Sequence, residues 1–458
     1  MTQIASIILA AGQGTRMKSE YPKVLHEILG KPMLRYTIDA ARKVGANPII
    51  VVVGFQGEKV IDTIGDGPQY VWQKERLGTG HAVMTAREAL KGLVGDLIVL
   101  YGDTPLLRPE TIRDLVNLKK EQRAAAAVLT ARLPEPFGYG RIVRDQAGNI
   151  RGIVEEKDAG PEEKSIDEIN TGVYCFDIDI LLAALDGLSP VNAQGEYYLT
   201  DVFKIMGDGG RKIVGLTVED AFEVMGTNDR AQLAQAEKYL RNTINNKWML
   251  NGVTIEDPDF TYIESEVEIG ADSIILPGTF LSGKTKIGPK CIIGPHTRII
   301  DSVIGSGTAA QFSQINGATI GAANNIGPFA FLRPGTVSED NVKFGDFVEV
   351  KNSRIGGGSK VPHLSYLGDA EVGTEVNIGA GTITCNYDGF QKNRTVIKDR
   401  AFIGSNANLV APVVIGADAT VAAGSTITKE VPDNALGVAR GRQELKLNWR
   451  PARRRLGK

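Results

Sequence analysis

Three cysteines among 458 residues, Cys175, Cys291 and Cys385, form no CxxC pair and are odd in number. They offer neither a disulfide framework nor a thiolate metal site, and they fit reduced thiols. No apolar run approaches the ~18 residues that a membrane helix needs, and MTQIASIILAAG has no basic stretch or cleavage site of a leader. Charge is nearly absent in sum, with a formal net of −2, so nothing draws the chain as a whole to nucleic acid or to an anionic bilayer. The one basic cluster, Arg450, Arg453, Arg454, Arg455 and Lys458, reads as a solvated tail. These absences predict a soluble, cytoplasmic protein with no membrane or nucleic-acid partner. The length exceeds what one core serves, so two domains are expected.

What is present is a period of six. Ile269, Ile275, Leu281, Ile287, Ile293 and Ile299 keep strict spacing. After a slip, apolar residues followed by glycine continue through Ile320, Ile326, Phe344, Ile355, Leu367, Val372 and Ile378. Strict spacing returns at Ile397, Ile403, Leu409, Ile415, Val421 and Ile427. Six steps of about 100° return a helical side chain to a different side, whereas six is even in extended chain. Each hexad is therefore one short strand that turns a corner before the next, which is a parallel β-helix. A β-sandwich would alternate over longer runs without a fixed period. Each buried Ile should stabilise the coil by roughly 1.5–3 kcal/mol, so a charge at Ile287 or Ile415 should break it locally.

The first half alternates strand and helix patterns. Strands are expected at Ile4 to Leu9, Ile49 to Val53, Tyr70 to Gln73, Leu97 to Tyr101 and Ala125 to Leu129. Helices are expected from Pro32 to Val44, His81 to Leu90 and Pro109 to Lys120. This pattern predicts a mostly parallel sheet covered by helices, with ligands beyond the carboxyl ends of its strands. A connector helix, 229–250, with Leu233, Ala236, Leu240, Ile244 and Trp248 on one face, separates residues 1–228 from the coil at 251–458.

Two segments bear on chemistry. The loop after the first strand carries Gly12 and Gly14, which let backbone N–H groups approach a phosphate, and Arg16, which adds a charge-assisted contact. Met17 departs from GxGxxG and no acid follows about 20 residues later, which weakens a dinucleotide reading. Gly278 to Thr285 satisfies GxxxxGK[ST], but Leu281 lies on the hexad ladder and no helix follows, so this P-loop is a coincidence.

LAAGQGTRM with Pro22-Lys23, Gln73, LGTGH at 77–81, Tyr101-Gly102-Asp103, GYGR at 138–141, Glu155, EINTG at 168–172 and Gly226-Thr227-Asn228 together resemble the sugar-nucleotide pyrophosphorylases. With the hexads behind them, the whole chain resembles the bifunctional N-acetylglucosamine-1-phosphate uridylyltransferase/glucosamine-1-phosphate acetyltransferase family. The resemblance implies a Rossmann-like nucleotidyltransferase domain followed by a left-handed β-helix with a C-terminal arm, in a homotrimer that shares acetyl sites between subunits. It implies the substrates glucosamine 1-phosphate, N-acetylglucosamine 1-phosphate, UTP and acetyl-CoA, and a product that feeds peptidoglycan and outer-membrane glycolipids. Leu9, Ala10, Ala11 and Gly12 would border the nucleotide, with Gly78, Tyr101 and Gly102 beside them. Gln73 and Thr79 would read uracil, and Arg16 and Lys23 would neutralise the triphosphate. Gly140, Glu155 and Asn170 would hold the sugar, and Asp103 with Asn228 would hold Mg²⁺, a hard ion that takes few protein oxygens.

On the coil, the resemblance implies that Arg333, Lys351, Tyr366, Asn377 and Lys392 meet the acetyl acceptor. Ala380, Asn386, Tyr387, Ser405, Ala423 and Arg440 would meet acetyl-CoA. His363, in VPHLSYLG, would be the base, since an imidazole can take a proton at neutral pH. The residues alone point the same way, because a solenoid wall has little reason to carry Arg, Lys, His and Tyr together unless an anion binds there. Residues Thr384 to Thr395 break the count and are expected to leave the coil as a loop, with Cys385 beside it a candidate for alkylation. The alternative is a pyrophosphorylase whose β-helix serves only assembly or regulation.

Overall fold

In a computed structural model, which describes residues 3–449, the chain divides into two compact units, Met1–Leu240 and Arg241–Lys458. The basic cluster at 450–458 lies outside the described residues. No described helix is long and apolar enough to cross a membrane.

The first unit is built on a mixed sheet of nine strands. Gln69–Trp72, Ile49–Val53, Gln3–Ala10 and Gly95–Tyr101 run parallel, in that order across the sheet. Glu168–Asp177 then enters antiparallel between Gly95–Tyr101 and Ala126–Arg132. Near-continuous aliphatic runs such as IIVVV at 49–53 are buried throughout, as a strand covered on both faces requires. Helices Met33–Lys43 and Pro109–Glu121 cover one face and Ile178–Leu185 and Asp201–Asp208 the other. The single helix expected from His81 to Leu90 is two, Thr79–Thr85 and Arg87–Leu90, broken at the buried Ala86.

The second unit is a three-faced β-helix. Its faces are parallel sheets of eleven, ten and nine short strands, and successive strands of one sheet come from successive coils. All nineteen hexad positions named above are buried. The slip has a simple origin. The interior column runs Ile299, Ile304, Ala310, Ile315, Ile320, so several turns spend five residues instead of six. Further on the column passes through Ser338 and Thr384, which carry no aliphatic signal although both are buried.

Two residues before many interior positions stands a buried serine or threonine. Ser353 Oγ accepts from Ala370 N at 2.9 Å, and Ser359 Oγ accepts from Val376 N at 3.0 Å while donating to Gly373 O at 2.7 Å. These hydroxyls satisfy corner amides that no strand pairs, so buried backbone polarity is met from within. Leu281, in the P-loop-like segment, is fully buried on strand Phe280–Ser282, with another coil strand after it.

Helix Arg230–Leu250 bridges the sequence between the two halves. Ala236 and Ile244 are buried as expected, but polar contacts hold its second half. Asn245 donates to Pro258 O and Thr261 O at 2.9 and 3.0 Å, and the Arg241 guanidinium lies 4.7 Å from the Tyr262 ring.

Candidate active sites

At the carboxyl ends of the parallel strands lies a cavity of about 290 Å³. Leu9, Ala10, Ala11, Gly12, Lys23, Gln73, Gly78, Thr79, Tyr101 and Asp103 line it, together with Arg76 and Glu196. The glycine loop opens only a short 3-10 turn, Thr15–Met17, and the first α-helix begins at Met33. It therefore offers loop amides without a helix N-terminus behind them. Gly14 has φ +64, and a Cβ there would collide with the Lys23 side chain. Arg16 is exposed and outside the cavity wall, whereas Arg76 closes it by donating to Gln13 Oε1 at 2.6 Å. Gln73 is buried, and its amide donates to Gly78 O at 3.0 Å.

Lys23 Nζ contacts Asp103 Oδ2 and lies 2.8 Å from Asn228 Oδ1, which ties Asn228 to the cavity. Gly140, Glu155 and Asn170 cluster beside it, since a Cβ at Gly140 would fall 3.4 Å from both of the others. Burial raises the Glu155 carboxyl, with Asp201 and Asp158 adding to the shift against the hydrogen bond from Thr200. Burial likewise holds the Tyr101 phenol well above its usual range. That ring packs over Gly172, where a Cβ would come within 2.6 Å of it. Gly102 faces away, against Leu34 and Val24.

On the β-helix one corner column carries His363, Ala380, Ser405 and Ala423. Backbone bonds link the coils there: Gly381 N to His363 O, Asn406 N to Ala380 O, and Gly424 N to Ser405 O, at 3.3, 2.7 and 2.8 Å. Arg440 Nη1 continues the column by donating to Ala423 O at 2.9 Å. Below, Asp346 is register partner of His363, and its carboxylate contacts His363 Nδ1. That contact holds the Asp346 carboxyl below the usual range.

On the neighbouring sheet, Arg333 donates to Glu349 at 2.6 Å, and Tyr366 pairs in register with Glu349. Lys351, Lys392 and Arg333 share this face. The Lys392 ammonium, and then Arg333, lower the Lys351 pKa, because like charges crowd there. Asp369 answers them, fixed by Asn352 and Asn386, each at 2.6 Å. Lys392 arrives on an excursion that leaves the coil after strand Ile383–Cys385 and returns at Thr395–Ile397, with Tyr387 bridging Lys392. Asn377 stands apart on the sheet of His363, beside Lys360 and Phe402. Cys385 is half-buried at the base of the excursion.

Residues 6–161 match the MobA-like NTP transferase domain, and residues 394–429 match the bacterial transferase hexapeptide model of six repeats. Over 449 residues the chain is 53% identical to the bifunctional protein GlmU of Heliobacterium modesticaldum, covering 98% of each. It is 50% identical to that of Brevibacillus brevis, covering 100% of this chain and 99% of the other. The chain belongs to the GlmU family.

Asp346, Asp369 and Arg76 are among the residues at these candidate sites that reading the sequence left out. Asp346 precedes His363 by 17 residues, which is one coil, and Asp369 precedes Asn386 by the same interval. The coil length was the signal that could have found both. Arg76 follows Gln73 by three residues across a strand end and had no such signal.

Proposed function

We propose how the two reactions are divided over the chain. It is a glucosamine-1-phosphate acetyltransferase and an N-acetylglucosamine-1-phosphate uridylyltransferase. Residues 1–228 carry uridylyl transfer, 229–250 connect, and 251–458 carry acetyl transfer. In the first unit the sugar phosphate oxygen attacks the α-phosphorus of UTP. The new O–P bond forms as the bond to the β-phosphate oxygen breaks, and pyrophosphate leaves. Arg16, Arg76 and Lys23 neutralise the triphosphate, Gln73 and Thr79 read the base, and Gly140, Glu155 and Asn170 orient the sugar. No protein nucleophile is required, because positioning and charge neutralisation suffice. Asp103 and Asn228 fit a magnesium ion, since both present hard oxygens to one cation, at present the Lys23 ammonium. Bound there, magnesium would withdraw charge from the phosphates.

On the coil the amine of glucosamine 1-phosphate attacks the acetyl-CoA thioester carbonyl; the N–C bond forms, the C–S bond breaks, and coenzyme A leaves as the thiol with the proton taken from the amine. His363 Nε2 takes the amine proton, while Asp346 fixes the ring through Nδ1. Arg333, Lys351 and Lys392 hold the phosphate, with Tyr366 and Asn377 at the margins of the sugar. Ala380, Ser405, Ala423 and Arg440 follow the column along which the coenzyme lies, with Asn386 and Tyr387 at the thioester end. Ser405 N–H or its hydroxyl meets the developing oxyanion. The observation that carries this half is the His363–Asp346 contact on the coil that also bears the three cations.

Assembly as a homotrimer has support in an exposed aromatic ridge. Phe312, Phe329 and Phe347 succeed one another along the His363 corner, 39–57% exposed, with ring centroids 5.8 and 5.3 Å apart. An apolar stripe of this kind is a contact surface. It leads to the acetyl site, so a neighbouring copy would wall that site. The product test mixes the protein with glucosamine 1-phosphate, UTP and Mg²⁺, with and without acetyl-CoA, followed by mass spectrometry. UDP-N-acetylglucosamine should form only with acetyl-CoA. His363→Ala should lower acetyl transfer by roughly 10²- to 10⁴-fold with uridylyl transfer unchanged. Equal loss of both would refute the assignment.

A further inference from the structure

Lys23 Nζ meets the Asp103 carboxylate and an Asn228 amide oxygen that is oriented without it. Asn228 N donates to Gln232 Oε1 at 2.7 Å and Asn228 Nδ2 to Gly226 O at 3.1 Å, which turns Oδ1 toward the lysine. Thr227 N donates to Asp103 O at 2.8 Å and holds the backbone of the other partner. The lysine stem is held at its base, where its Cβ lies against Gly14, and its outer bonds carry the ammonium. Its side chain is 12% exposed and that of Asp103 17%. The ammonium therefore sits between two hard oxygen donors and contacts both.

A magnesium ion needs those oxygens at about 2.0–2.1 Å. It would then stand in nearly the place of the ammonium, and a monovalent and a divalent cation cannot share it. Resting on the reading that Asp103 and Asn228 hold the metal, we infer that Lys23 is an internal counter-cation that keeps the site closed to a divalent ion until nucleotide arrives. The triphosphate supplies the ammonium with new partners, and the oxygens are freed as it moves. Ion and nucleotide binding are then coupled, and by linkage each strengthens the other equally.

The test titrates full-length protein with Mn²⁺ alone and follows the free ion by electron paramagnetic resonance. Native protein without nucleotide should bind Mn²⁺ weakly at this site. Lys23→Met should bind about tenfold tighter or more, and the gain should vanish in Lys23→Met/Asn228→Ala. Lys23→Gln serves if the methionine variant fails to fold. Unchanged or weaker binding in the lysine variants would overturn the inference. So would native protein whose Asn228-dependent Mn²⁺ affinity is the same with and without UTP, after correction for ion held by free UTP. In the UTP arm, loss of Mn²⁺ on Asn228→Ala keeps the metal reading standing even if the gating falls. No loss there overturns both.

Discussion

Ile403 offers a perturbation whose size and reach can be worked out from the coil. It is fully buried, with Ile378 as register partner on one side and Val421 on the other. Removing its outer carbons leaves a hole between two rungs that backbone hydrogen bonds hold in place, so the neighbours cannot collapse freely. Ile403→Ala should cost about 2–5 kcal/mol, toward the upper part of that range, and Ile403→Val about 0.5–1.5 kcal/mol. A solenoid rung meets only adjacent rungs, so the damage should stay local. What lies two residues beyond each of these three positions is Ala380, Ser405 and Ala423, the column proposed for the coenzyme. The assay measures both activities on one preparation after graded heating. Acetyl transfer in Ile403→Ala should be lost at a clearly lower temperature than in native protein, with Ile403→Val between them and uridylyl transfer following the native curve. Parallel loss of both activities, or a valine variant as labile as the alanine one, would refute the argument from rungs.

Two further outcomes follow from the sites. Asp346→Asn should lower acetyl transfer by about 10- to 100-fold, less than His363→Ala, because it removes orientation and leaves the base; this shows in kcat, with KM for glucosamine 1-phosphate little changed. Glu155→Gln separates stability from function: a carboxyl whose pKa is raised by burial favours the fold while protonated and loses that contribution as pH rises through its folded value. The glutamine variant should therefore melt above native protein at neutral pH, with the gap closing below about pH 4, while kcat/KM for N-acetylglucosamine 1-phosphate falls about tenfold or more. Scanning calorimetry from pH 4 to 8 checks the sign.

Most of the coil was legible because its interior demands an aliphatic side chain at a fixed interval, and no other fold makes that demand. Legibility failed where a turn spends five residues, as between Ile315 and Ile320, and where Ser338 or Thr384 fills the interior. The sheet of the first unit was legible from its buried runs, while the antiparallel entry of Glu168–Asp177 was not, since strand direction leaves no mark on composition. At the sites, residues that touch through space across one coil, His363 and Asp346, are separated by ordinary sequence. An acid at a solenoid corner looks like any turn residue until the coil length is laid over it. Arg16, read from the same loop motif, is exposed beside the cavity and not in its wall, a placement that spacing along the chain does not specify.

The excursion between Thr384 and Thr395 leaves and re-enters the coil through a narrow neck, where Asn393 N donates to Asn386 O at 2.7 Å. Beyond that neck Lys392 reaches back to Lys351 on the rungs, while Phe390 at the tip is almost wholly exposed. Residues 387–392 are all exposed and none fills the interior column, so the stacking below does not depend on them. Lineages are thus free to lengthen, shorten or rewrite the tip, and with it the reach of Lys392, without re-solving the problem of stacking a solenoid. Recognition of the acceptor can drift on its own clock while the architecture stays still.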